Sequence, residues 1–299
     1  MGRRGPAGPD GLVVVDKATD WTSHDVVAKC RGLLGTRKVG HSGTLDPDAT
    51  GVLLVGAGRV TRLLRFLTAL PKTYVTEIVL GVETDTLDAA GQVTARHDMT
   101  GVSHEQVHAA ARALTGDILQ VPPMVSAVKV GGRRLHELAR EGIEVERDAR
   151  PVTVDRYDIE PLAGEPGVWR AEVVCSSGTY VRVLAADLGA ALGGGAHLRA
   201  LRRTAIGSFR VADAVPVDDV SPEGLLTPAQ AMRDYPAVTV QGAQAAAVAH
   251  GRPLGLADLG VTGAGPWAVL GADGDLLAVY EPFRGDQAKP AVVVAPAAT

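Results

Sequence analysis

The sequence predicts an α+β fold on three observations. Short strands that pair like hairpins are mixed with capped helices, no long run of βαβ units appears, and the character turns β-rich after Tyr235-Pro236. At 299 residues the chain is about twice a typical domain, which fits one large core plus a small appendage. The boundaries read from composition are a flexible leader at 1–9, a main domain at 10–233 and a β-rich tail domain at 237–296.

The main domain opens with a short buried strand at Leu12–Asp16. Ser23 can cap a helix from about His24 to Leu34, with Val27, Cys30 and Leu34 at helical spacing. A long glycine-punctuated loop follows, from Gly35 to Gly51. Val52–Val55 predicts a second apolar strand, Arg59–Leu70 a basic amphipathic helix, and Thr73–Leu80 an alternating strand. Ser103 with Gln106 forms a capping box for a helix to about Leu114, and Leu135–Arg140 is a shorter helix behind Gly131-Gly132. Val152–Ile159 and Trp169–Cys175 predict paired strands. Tyr180–Leu192 is a helix stopped by Gly193-Gly194-Gly195. In the tail, Trp267–Leu270 and Leu276–Tyr280 flank a turn at Ala272-Asp273-Gly274-Asp275.

Composition narrows the function classes. Cys30 and Cys175 lie far apart and match neither a metal-binding spacing nor a disulfide scaffold, which fits a reducing compartment. The N-terminal apolar run, Leu12–Val15, is too short for a signal segment or a membrane span, so a cytoplasmic protein is expected. A net charge of -4 runs against nucleic-acid binding as a bulk property. The distribution runs the other way: Arg31, Arg37, Lys38, Arg59, Arg62, Arg65 and Lys72 outnumber the acids from 31 to 72, and Arg182, Arg199, Arg202, Arg203 and Arg210 do so further on. Acidic residues gather at 83–98, 141–160 and 213–234. Solvated helix faces give the same pattern, so charge alone leaves RNA binding an even choice.

The most informative stretch is Gly40-His41-Ser42-Gly43-Thr44-Leu45-Asp46-Pro47-Asp48-Ala49-Thr50-Gly51. Pro47 restricts the residue before it to extended conformations, which gives Asp46 a defined orientation. The same residues also fit an ordinary helix N-cap with proline at the first helical position. No cluster of histidines and cysteines has metal-ligand spacing, so no metal is expected.

The stretch resembles the signature of the TruB-type pseudouridine synthases, GH(T/S/A)G(T/A)LDP-x-ATG. Other segments are similar to that family in the same order. They are Gly11–Lys17, Lys72-Thr73-Tyr74, Gln120-Val121-Pro122-Pro123, Ser126-Ala127-Val128-Lys129, Ala139-Arg140-Glu141-Gly142, Cys175–Arg182 and Gly195–Thr204. The resemblance covers about 11–210, and from Pro236 the tail more weakly resembles a PUA-type RNA-binding domain, with His250-Gly251-Arg252-Pro253-Leu254 like its early turn. It implies a mixed, mainly antiparallel sheet flanked by helices, and isomerisation of the T-loop uridine of tRNA conventionally numbered 55 to pseudouridine.

By this resemblance Asp46 is the catalytic carboxylate. It attacks C1' or C6, or abstracts a sugar proton; these routes stay open. Arg182 corresponds to the arginine that pairs with it, and an adjacent cation favours the ionised form. Tyr74 corresponds to the tyrosine that stacks on the flipped uracil, Tyr180 and Leu201 to the pocket floor, and His41 to the histidine that enters the space the base leaves. Read without the resemblance, Tyr74, Tyr180 and Leu201 fit core packing, Arg182 an exposed helix and His41 a turn. Lys17 is expected to support the loop. Arg59, Arg62, Arg199, Arg202 and Arg203 are candidates for the phosphate-facing surface. The resemblance implies no cofactor, because the isomerisation is redox-neutral, and tRNA as the partner with no obligatory protein partner.

The chain departs from the family pattern at Ala18, Thr19 and Asp20, where proline and glycine are usual. It departs again at Asp48, whose charge would raise the pKa of Asp46 if close in space, at Val125 and at Leu135. Two rival readings remain. Gly56-Ala57-Gly58-Arg59 after a strand suggests a dinucleotide site, though Thr61 stands where its third glycine belongs. A non-catalytic RNA-binding protein on the same fold is the other.

Overall fold

The computed structural model describes residues 8–126 and 128–294. Arg3, Arg4 and most of the expected leader lie outside the described residues, as do Ala127 of the central motif and positions 295 and 296 of the expected tail domain. Among the described residues no helix is long and apolar enough to cross a membrane.

A ten-stranded mixed sheet organises the main domain. Its path runs Val215–Pro216, Gly11–Lys17, Thr50–Ala57, Ala196–Ile206, Lys72–Leu80, Val168–Cys175, Arg150–Pro161, Gly116–Gln120, with Val39–His41 and Phe209–Arg210 pairing beside it. Gly11–Lys17 with Val215–Pro216, and Ala196–Ile206 with Thr50–Ala57, are parallel; the remaining neighbours are antiparallel.

Side-chain alternation explains how the sheet is covered. In Gly11–Lys17, Val13 and Val15 pack on Val26 and Cys30 of the helix Ser23–Leu33, while Leu12 and Val14 face Leu63, Leu67 and the tail domain. A strand buried on both faces reads as a continuous apolar run, which is why Leu-Val-Val-Val was legible. In Lys72–Leu80, Tyr74, Ile78 and Leu80 turn toward the helices His104–Ala113 and Val181–Ala191, and Thr73, Val75, Glu77 and Val79 stay half-exposed.

The Ser103/Gln106 capping box, the helix Leu135–Arg140 and the pairing of Arg150–Pro161 with Val168–Cys175 match expectation. Four details differ. Thr22, not Ser23, caps the first helix, in a reciprocal box with Asp25; Ser23 is buried instead and its hydroxyl accepts from Leu45 N at 2.9 Å. The expected loop Gly35–Gly51 contains the strand Val39–His41. The expected helix Arg59–Leu70 is a 3-10 turn, Gly58–Arg62, followed by a short helix, Leu64–Ala69. Gly58 sits at φ 59°, the Asp10 carboxylate caps Arg59 N, and the Thr61 hydroxyl donates to Gly58 O at 2.7 Å, which competes with helical hydrogen bonds. Finally, Ala196–Ile206 is a central strand that its arginines conceal, because Arg199 and Arg202 are paired with Glu77 and Asp16 and bulges fall after Leu198 and Arg203.

The tail forms a five-stranded, PUA-like half-barrel in the order Ala237–Thr239, Trp267–Leu270, Leu276–Pro282, Gln287–Val293, Leu254–Gly255. It adds a helix, Gly242–Ala249, that its alanine-rich sequence did not announce. It docks on the short helix Leu64–Ala69: Ala268, Leu276 and Val279 share a core with Phe66 and Leu67, Tyr235 donates its phenol to Phe66 O at 2.7 Å, and Arg65 pairs with Glu281 at 2.7 Å.

Candidate active site

The signature loop is a turn between two paired strands. Ala49 N donates to Asp46 O at 3.1 Å with Pro47 at the second position, so the helix N-cap reading fails: no helix follows Asp46. Gly51 closes the loop at φ 103°, where a Cβ would stand 2.2 Å from Arg203 O, so only glycine lets the loop meet the strand Ala196–Ile206.

Buried cations fix the loop from beneath. Lys17 is 1% exposed and donates to the carbonyls of Ala18, Trp21 and Pro47 at 2.6–2.9 Å. This is the loop-supporting role expected of it, and these bonds hold the turn where proline and glycine are absent. Burial pushes its ammonium down to about 8, against the pull of Asp48 and Asp46. Arg203 is also 1% exposed and donates to Val52 O at 2.7 Å, Gly43 O at 3.2 Å and Thr44 O at 3.4 Å.

Asp46 emerges from this support into a pocket of about 260 Å³, whose wall also includes Tyr74, Tyr180, Arg182 and Leu201. The Asp46 carboxylate is 3.1 Å from Arg182 Nε. Arg182 is buried in the first turn of the helix Val181–Ala191, where an exposed helix arginine would not be. Its other donors go to Asp88 Oδ2 at 3.2 Å and to the carbonyls of Thr86 and Val125, both at 3.0 Å. Four acceptors thus engage and aim the guanidinium. Tyr180 is held at the helix start by Gln120, which accepts from Tyr180 N at 2.7 Å and donates to Tyr180 O at 3.1 Å.

Opposing influences act on Asp46, and burial prevails. Burial raises the Asp46 pKa, Arg182 opposes it, and Asp88 and then Asp48 add to it. The effect expected of Asp48 is therefore present but secondary. The Asp46 side chain keeps 42% of its surface open and lines the pocket. Burial also raises the Tyr74 phenol, with Arg203 pulling it back down. A carboxylate, a clamped guanidinium and a phenol facing one space can receive a planar ring and handle a charge or proton at its edge.

His41 stands outside this pocket, at the end of Val39–His41, with its Nδ1 accepting from Gly43 N at 3.3 Å and its ring edge-on to His24 at 5.5 Å. Burial, then His24, lowers its pKa. Each arginine expected to face phosphate has an acceptor within the free chain. Arg203 is buried under the loop. Arg59 binds Asp10 at 2.6 Å and Val294 O at 2.9 Å, and Arg62 binds Val293 O. Arg199 is shared by Glu77 and Glu165, and Arg202 binds Asp16 at 2.6 Å. Each found an internal acceptor that sequence proximity does not reveal. Leu135 is fully buried, and Val125 lines the pocket while its carbonyl accepts from Arg182.

The sequence reading missed Asp88, gave Gln120 no role beyond its place in a motif, and read Ser23 as a helix cap rather than a support of the loop. Asp88 hid in the acidic stretch 83–98, and nothing in its spacing marks it as a partner of a residue 94 positions later. The dinucleotide reading falls, because the amide that would cradle a phosphate, Arg59 N, is taken by the chain's own Asp10.

Similarity to known proteins decides between the readings that remain. The family model described as TruB family pseudouridylate synthase (N terminal domain) matches residues 31–181. The tRNA pseudouridylate synthase B C-terminal domain matches 182–235, and the C-terminal model of tRNA pseudouridine synthase II matches 235–295. The chain is 46% identical over 294 residues to a Mycobacterium sp. (strain KMS) protein named tRNA pseudouridine synthase B, covering 97% of each. It is 45% identical to the Thermobifida fusca (strain YX) protein of the same name, covering 96% of this chain and 99% of that one. A chain of the structure described as "Crystal Structure of a Cbf5-Nop10-Gar1 Complex" superposes with a TM-score of 0.74 at 26% identity, over 96% of this chain and 85% of that one. Another, from "Crystal structure of the archaeal box H/ACA sRNP Nop10-Cbf5 complex", shares the fold at a TM-score of 0.71 and 24% identity, over 98% and 90%. These matches exclude a purely RNA-binding reading: the chain belongs to the TruB family of pseudouridylate synthases and is an enzyme of that isomerase class.

Proposed function

We propose that this pseudouridine synthase acts on the T-stem and loop of tRNA and isomerises the uridine conventionally numbered 55, with Asp46 as the catalytic residue. The domain at 10–233 performs the chemistry and the domain at 237–296 binds RNA. No obligatory protein partner or cofactor is required, and the setting is the cytoplasm. Relatives named tRNA pseudouridine synthase B support tRNA as the substrate.

The target base leaves its stack and enters the pocket, with His41 in the space it vacates. Tyr74 stacks on it, and Tyr180 and Leu201 close the floor. The bond from C1' to N1 breaks and the uracil turns. C5 then bonds to C1', the proton leaves C5 next to Tyr74, and N1 gains a proton, so atoms balance without oxidant or reductant. Asp46 serves as an anion in each available route, by attack at C1' or C6 or by abstraction of a sugar proton. Arg182 keeps it ionised and oriented against the burial that raises its pKa.

The observation that carries this reading is the Asp46–Arg182 pair, at 3.1 Å, on the wall of the pocket that also holds Tyr74. The test is release of tritium from C5 of uridine in transcribed tRNA. Tritium release is expected to reach one equivalent per RNA and to vanish when the target uridine is replaced by cytidine. Release that persists after that replacement would overturn the assignment of position.

A further inference from the structure

Several arginines of the main domain pair with carboxylates of the chain itself, which draws attention to cations that have no such partner. The hairpin joining Leu276–Pro282 to Gln287–Val293 offers two. At its tip, Phe283 keeps 37% of its surface exposed and joins neither core that the tail domain contributes to. Lys289 Nζ stands 4.8 Å from the ring centroid, and the Arg284 guanidinium carbon 5.4 Å. Neither cation has a carboxylate partner among the described residues. Lys289 lies directly across the ladder from Glu281, but that carboxylate is taken by Arg65 at 2.7 Å. The nearest remaining acid in the loop is Asp286, so the tip stays net positive.

The tip is also rigidly placed. Phe283 N donates to Gln287 O at 2.8 Å and Gln287 N to Arg284 O at 3.2 Å, while Asp286 O accepts from Leu256 N at 2.7 Å. Arg65 ties the strand to the helix Leu64–Ala69, and Thr68, one turn along that helix, lines the Asp46 pocket. Helix rise, side-chain reach and strand rise together keep the tip within roughly 25 Å of the pocket.

We propose that Phe283, Arg284 and Lys289 form a second RNA-contacting site, which stacks an unpaired base or ribose on the ring and neutralises flanking phosphates. An exposed aromatic ring bracketed by unpaired cations is suited to a polyanion with flat faces. The inference rests on the reading of tRNA as substrate and extends the footprint beyond the flipped base.

The test uses the full chain with transcribed tRNA and compares wild type with Phe283→Ala and Arg284→Ser/Lys289→Ser. Equilibrium binding is measured across a salt series, and single-turnover rate at saturating RNA. Phe283→Ala should weaken binding about tenfold. The double variant should weaken it and flatten the log–log salt slope by about 1 to 2, one unit for each phosphate no longer neutralised. Both should keep the saturated rate within about twofold and the wild-type melting temperature. Unchanged affinity and slope in both variants would refute the site even if the enzyme is fully active. Failure of the wild type to isomerise tRNA would instead refute the proposed function.

Discussion

Two populations of cations occupy this molecule and do different things. Those beneath the pocket, Lys17, Arg182 and Arg203, are 1–4% exposed and spend most of their donors on backbone carbonyls of the loops that shape the site. Those on the sheet face and domain seam, Arg59, Arg65, Arg199 and Arg202, have side chains 32–53% exposed and pair chiefly with carboxylates. An exposed pair stabilises by roughly 0–1 kcal/mol, whereas breaking a buried one costs about 3–5 kcal/mol because a charge is left without partners. A cation that binds carbonyls is part of the site's geometry. A cation that binds a surface carboxylate mostly balances charge.

The largest effect should come from Asp46, the group this geometry serves. Asp46→Asn keeps size and removes the negative charge, so the single-turnover rate should fall by about 10⁴-fold or more while tRNA affinity changes little. Full turnover by this variant would remove the proposed mechanism and leave the buried cations with a purely structural role.

Arg203→Lys comes next and bears directly on the comparison. Lysine keeps the charge but cannot span Val52, Gly43 and Thr44 as the planar fork does. Denaturant unfolding should show a loss of about 2–3 kcal/mol, since hydrogen bonds to charged groups contribute about 1.5–3 kcal/mol each and part of the set is retained. A loss below about 0.5 kcal/mol would place Arg203 with the surface cations instead.

The same division explains what was legible. The signature loop, the capping box at Ser103 and the strands Gly11–Lys17 and Lys72–Leu80 were readable, because turn chemistry, capping and alternation are local. Tyr74, Tyr180, Arg182 and Leu201 came from a family resemblance, and the structure gathers them with Asp46 on one pocket. Asp88 was not readable, because its value lies in a contact with a residue far along the chain. The internal partners of Arg199, Arg202 and Arg203 were hidden for a related reason: a run of arginines looks alike whether it pairs with carboxylates or carbonyls, and only the neighbours across strands show which.

Asp88→Asn tests the electrostatics with an opposite sign for two observables. Burial raises the Asp46 pKa and Asp88 adds to it, so removing that charge should lower it. The reaction needs the Asp46 anion, hence activity rises with pH through this pKa, and the acid limb of the rate profile should move to lower pH. At neutral pH the rate should still drop by about tenfold, because Arg182 loses the charged acceptor that aims it and the amide in its place holds it less firmly. An acid limb displaced upward would mean that Asp88 acts on Asp46 mainly by holding Arg182 in place.

The smallest effect is predicted for Arg199→Ser, and it separates the populations most cleanly. Arg199 is held by Glu77 at 2.9 Å and also by Glu165, with a third of its side chain exposed, so its loss should change unfolding free energy by less than about 1 kcal/mol. If those carboxylates occupy it in the complex as they do in the free chain, the salt dependence of tRNA binding will match wild type. If RNA displaces them, the log–log slope will fall by about 1, the signature of one neutralised phosphate, and Arg199 will belong to the binding surface after all. The carboxylates make the second outcome costly: phosphate would have to replace two acceptors already in place and leave both acids unpaired beside the RNA, a repulsion that the uncommitted cations of the tail domain do not face.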